Sequence, residues 1–130
     1  MTYEFCIDVS KVSGVGKNNY GITKTGIHYP KKNFVLFRND FITQLKKEID
    51  RKNYEITTIT EPVKLTLWYK PLDKRKRDAT AILDAIFNIL ETCRIISDDS
   101  LIKKIDYQET ESIKNVFYLK IEKLYYEKDN

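Results

Sequence analysis

The chain has 130 residues, enough for one domain spanning 1–130 with a real core. Hydrophobic residues make up 42% and charged residues 32%, an ordinary globular mixture, and the net charge of +4 is only mildly basic. Two cysteines, Cys6 and Cys93, and one histidine, His28, are too few for a disulfide scaffold or a zinc site.

In chain order, Tyr3–Val9 is rich in β-formers and reads as a strand. Because that strand carries charge, it does not read as a signal peptide, and none is expected. No apolar run reaches the roughly 18–20 residues needed to span a bilayer, so the expectation is a soluble, cytoplasmic protein with no membrane partner. Ser13–Gly26 holds all four glycines and is a basic loop. It fails the Walker pattern, because Lys11 and Asn18 stand where a glycine and a serine or threonine are required. The loop is instead a candidate for phosphodiester contact through Lys11, Lys17 and Lys24. Asn33 is positioned to cap a helix from Phe34 to about Arg51. Its buried face is Phe34, Phe37, Phe41, Leu45 and Ile49, at helical spacing.

Val63–Tyr69 alternates, with Val63, Leu65, Leu67 and Tyr69 on one face, and reads as a strand that Pro71 ends. Asp78–Thr92 reads as a helix that is apolar nearly all round. Its polar residues, Thr80, Asp84, Asn88, Glu91 and Thr92, form one narrow seam. Ser97–Ser100 forms the turn after it. Leu101–Asp106 and Asn115–Tyr125 read as two further strands, with Gln108–Ser112 as a hairpin connection. Cys6 and Cys93 both lie in apolar contexts and read as small core residues. The order β-α-β-α-β-β predicts an α/β (α+β) fold, a mixed sheet packed with two helices.

Lys74, Arg75, Lys76 and Arg77 form a run of cations directly before Asp78. Cations beside acids suit a polyanion that must approach a carboxylate pocket: the basic groups attract phosphates, and a divalent ion bridges phosphate to carboxylate. Magnesium is the expected ion, because it prefers oxygen ligands and the acids supply them. Singly, Asp78 also reads as an acid at a helix N-terminus, and Asp98–Asp99 as a turn pair.

The sequence Arg77–Asp78, then a helix containing Leu83–Asp84–Ala85, then Ile96–Ser97–Asp98–Asp99, resembles the RusA family of Holliday-junction resolvases. That family carries an R-D-x-D-N-x-x-K run at a helix start and a D-D pair farther on, and the spacing here matches without gaps. The resemblance is specific over Arg77–Ile102 and loose elsewhere. It implies a RusA-like fold and a homodimeric, magnesium-dependent endonuclease that resolves four-way DNA junctions. It also implies Asp78 and Asp99 as ligands, Asp98 beside them, and Arg77 as the basic residue before the motif.

The chain departs from the family run at three places. Thr80 replaces the second aspartate, Ala81 the asparagine and Asp84 the lysine. Thr80 and Asp84 lie one turn apart, about 6 Å, on one helix face. The expectation is that Asp84 takes over the missing carboxylate, so that Asp78, Asp84 and Asp99 converge on magnesium. The alternatives are a junction-binding protein without chemistry and a non-enzymatic dimeric interaction module.

Overall fold

The computed structural model describes residues 2–9, 20–30, 32–70, 79–114 and 116–124. In order the elements are β1 (Thr2–Asp8), β2 (Tyr20–Ile22), β3 (His28–Pro30), α1 (Lys32–Arg51), β4 (Val63–Lys70), α2 (Ala79–Thr92), a 3-10 turn (Asp99–Leu101), β5 (Ile102–Lys114) and β6 (Val116–Lys123). Four strands form one mixed sheet in the order β1-β6-β4-β5, and β2 and β3 form a separate hairpin. The architecture is the expected α+β fold.

The core follows from two periodicities. Phe34, Phe37, Phe41 and Leu45 line one side of α1 and are all buried, with Ile49 partly buried behind them. From the sheet, Tyr3, Phe5 and Ile7 of β1, Val63, Leu65, Leu67 and Tyr69 of β4, and Phe117, Leu119 and Ile121 of β6 meet that stripe. Phe117 is the junction. Its ring centroid lies 5.8 Å from Phe37 and 5.5 Å from Phe41, and Tyr69 stacks on it at 4.6 Å. Burying each such ring contributes about 2–3 kcal/mol. From α2, Ile82, Ala85, Ile86, Ile89 and Leu90 complete one core cluster.

Both helices end in the same way. Asn53 (φ 54°) and Arg94 (φ 56°) adopt the left-handed conformation. After α1, the Asn53 N–H donates to Asp50 O and the Tyr54 N–H to Ile49 O. After α2, the Arg94 N–H donates to Glu91 O and the Ile95 N–H to Leu90 O. These paired bonds satisfy the last carbonyls of each helix and turn the chain sharply. The residue after each turn, Tyr54 or Ile95, packs on the core.

β5 and β6 do not form a hairpin: β4 lies between them, parallel to β5 and antiparallel to β6. Residues 108–112 belong to β5, whose register on β4 jumps from Tyr69↔Glu109 to Lys70↔Lys114. Those added residues let the chain pass the end of β4 and return on its other side. Asn33 lies inside α1, which starts at Lys32. Cys6 is exposed because it alternates with Phe5 and Ile7, on the sheet face away from α1. Cys93, as expected, packs against the core, partly buried, and burial pushes its thiol pKa up. No helix among the described residues is long and apolar enough to cross a membrane.

Candidate metal centre

Glu91 is the last acid in the polar seam of α2, and the turn at Arg94 folds the chain back beside it. The returning strand is held by a short parallel bridge: Ile59 N–H donates to Ile95 O, and Ser97 N–H to Ile59 O, both near 3 Å. The Thr58 hydroxyl donates to Arg94 O at 2.7 Å. This clamp fixes where Asp98 and Asp99 emerge.

Asp98 then caps the 3-10 turn. Its Oδ1 accepts from the Ser100 N–H at 2.8 Å. The Asp99 N–H donates to Glu91 Oε1, which ties the end of α2 to the turn. As a result, Glu91, Asp98 and Asp99 each offer a carboxylate oxygen within 4.8 Å of the others. Glu91 is half-buried, and the two aspartates are exposed.

Crowded carboxylates ordinarily raise one another's pKa. Asp98 goes the other way: its carboxyl is held below the usual aspartate range. The Ser100 backbone N–H is the largest cause, followed by the Ser100 hydroxyl; slight burial opposes them, and contact with Asp99 adds to the lowering. At neutral pH the turn therefore presents a charged Asp98. The donor set is all oxygen and open on the Asp98–Asp99 side. That fits a hard cation that keeps several waters, such as magnesium, manganese or calcium, and does not fit zinc.

Of the expected ligands, Asp98 and Asp99 are brought together. Asp84 is not part of this group. It is exposed on α2, seven residues before Glu91, or about 10 Å of helix rise. Thr80 and Ala81 lie farther still along α2, so the two halves of the motif sit toward opposite ends of one helix. Asp78, Lys11, Lys17, Lys74, Arg75, Lys76 and Arg77 lie outside the described residues. Lys24 is described and exposed, at the tip of the β2–β3 hairpin. Gly26 closes that tip with φ +85°, donating its N–H to Thr23 O at 3.0 Å.

Glu91 joins the Asp98–Asp99 pair in this cluster although it was not among the expected ligands. It was already legible as the last acid of the seam. Its partnership with Asp98–Asp99 required knowing that the chain reverses at Arg94, and a left-handed arginine carries no sequence signal. One further seam residue is notable. Asn88, one turn before Glu91, has a buried side-chain oxygen with no hydrogen-bond donor among the described residues. Comparison with protein-family models and with curated proteins gives no match.

Proposed function

We propose that this chain is a magnesium-dependent, structure-specific endonuclease for branched DNA, acting on four-way junctions as a homodimer of RusA-like subunits. The observation that carries the reading is the Glu91–Asp98–Asp99 group: the resemblance places a D-D ligand pair at Asp98–Asp99, and these two residues share a cluster with a third carboxylate. Glu91 replaces Asp84 as the third acid of the proposed site. Asp78 stays in the proposal on the resemblance alone.

In this reading Glu91, Asp98 and Asp99 would hold the ion, which when bound would supply an activated water and charge stabilisation at the phosphate. The chain's own residues do the rest. The Asp99 N–H fixes the Glu91 carboxylate, and Ser100 keeps Asp98 ionised. Lys24 at the hairpin tip, with the cations at 74–77 and Lys11 and Lys17, attracts the phosphate backbone.

The test is nicking of a synthetic four-way junction with and without magnesium. The wild type is expected to nick only with the ion. Asp99→Asn and Glu91→Gln are expected to lower the rate at least about a hundredfold, the scale of lost ion and positioning contributions, and to leave junction binding intact. Binding without nicking in the wild type would favour the non-catalytic junction binder instead. No binding at moderate salt would favour the dimeric interaction module.

A further inference from the structure

The charge of this chain is unevenly placed. From Val9 to Asn39 there are six cations, Lys11, Lys17, Lys24, Lys31, Lys32 and Arg38, and not one acid. The whole chain is +4, so the residues outside that stretch sum to −2. The β2–β3 hairpin lies in the middle of the acid-free stretch. Every residue from Ile22 to Tyr29 is exposed. Of the five well-exposed large hydrophobics among the described residues, three are here: Ile22 at 64%, Ile27 at 63% and Tyr29 at 46%. Tyr29 is registered opposite Gly21, so no side chain stands directly across the ribbon from its ring.

A two-stranded ribbon is only marginally stable in water by itself. This one is held by its tip. The Thr23 N–H donates to Ile27 O at 2.9 Å, the Gly26 N–H to Thr23 O at 3.0 Å, and the Ile27 N–H to the Thr23 hydroxyl at 3.0 Å. The Thr23 and Thr25 hydroxyls bond each other at 3.0 Å. The tip is shaped before any partner arrives, which lowers the cost of binding. It presents the Lys24 cation beside apolar side chains. A partner matched to it is anionic outside and apolar within, as nucleic acid is with its phosphates and base faces. Ile22 and Tyr29 belong to adjacent register pairs, Ile22↔His28 and Gly21↔Tyr29, and so stand on opposite faces of the ribbon. An arm apolar on both faces suits a gap between two base layers. A membrane surface would cover only one face. Isoleucine is among the side chains that wedge between base steps, and tyrosine stacks on open bases.

We infer that the β2–β3 hairpin is a base-contacting arm that selects branched over linear DNA. Lys24 takes a phosphate, and Ile22, Ile27 and Tyr29 seat against base faces. In a linear duplex those faces are covered by stacked neighbours, and uncovering them costs energy. At a branch point the stacking is already interrupted, so the arm gains its apolar contacts there at less cost. The inference rests on the branched-DNA reading and adds to it the origin of the structural preference.

Fluorescence anisotropy of a labelled four-way junction and a linear duplex of equal length, in EDTA so that neither is cut, tests it with the full chain. The wild type is expected to bind the junction at least about tenfold more tightly than the duplex, the scale of one or two base contacts. Ile22→Ser with Ile27→Ser, and separately Tyr29→Ser, are expected to weaken junction binding at least about fivefold and duplex binding less than about twofold. Their circular dichroism spectra are expected to be unchanged, because all three side chains are exposed. Tyr29→Trp keeps a ring and is expected to keep the preference. Lys24→Gln is expected to weaken both complexes and to reduce the log–log salt slope by about 0.9. Unchanged junction binding in the apolar variants, or equal loss on both DNAs, overturns the arm and leaves the endonuclease reading standing. A wild type that binds neither DNA, or that binds phosphatidylserine vesicles in place of the junction, overturns both.

Discussion

Asp98 does two things at once. It caps the 3-10 turn through Ser100 and stands in a cluster of three carboxylates. The first role sets its protonation. The backbone N–H and the hydroxyl of Ser100 outweigh the opposing effect of slight burial and lower its pKa, with the contact to Asp99 adding to them. The sign of the consequence is fixed by linkage. A carboxyl whose folded pKa is depressed contributes stability above the unfolded pKa, and that contribution is lost as pH falls through the folded value. Side-chain carbon-13 titration is expected to give Asp98 a midpoint below 3.8, its ordinary value. Ser100→Ala removes only the hydroxyl donor and should move that midpoint part of the way back. A midpoint at or above 3.8 in the wild type would mean the cap is not formed in solution.

α2 and the chain reversal after it bring the three carboxylates of the candidate site together. The helix is specified by its own composition: no Gly or Pro, and apolar residues on every side except the seam. Its end is specified less well. Arg94 takes a left-handed conformation that costs a non-glycine residue roughly 1–2 kcal/mol, and the turn holds because Ile95 is fully buried and bridged to Ile59. Arg94→Gly is therefore expected to raise the unfolding free energy by about 0.5–1 kcal/mol after the entropy of glycine in the unfolded chain is subtracted. Urea denaturation reads this directly. A loss of stability would mean that the arginine side chain makes contacts outweighing the backbone cost.

Across the whole molecule, what the sequence disclosed depended on periodicity. The α1 stripe from Phe34 to Leu45 and the alternation Val63–Leu65–Leu67–Tyr69 are both buried as read, because burial on one face leaves a repeating mark. The same alternation would have placed Cys6 on the open face, had it been set against Phe5 and Ile7 and not judged by its neighbours' hydrophobicity. The position of β4 between β5 and β6 left no such mark. Two strands joined by a polar stretch look like a hairpin whether or not a third strand separates them. The candidate site was half legible. Asp98–Asp99 stood out as a pair in a motif, whereas Glu91 joins them only through the fold of the turn at Arg94.

Whether Glu91, Asp98 and Asp99 form one divalent-cation site is read by manganese titration of the nitrogen-15-labelled chain. Paramagnetic broadening is strongest at the amides nearest the ion. It is expected to appear first at Glu91 and at Asp98–Ser100, to be competed away by magnesium, and to disappear from these amides in Asp99→Asn. Broadening that begins elsewhere on the chain, or that is unchanged in Asp99→Asn, would contradict the assignment of the ion to this cluster.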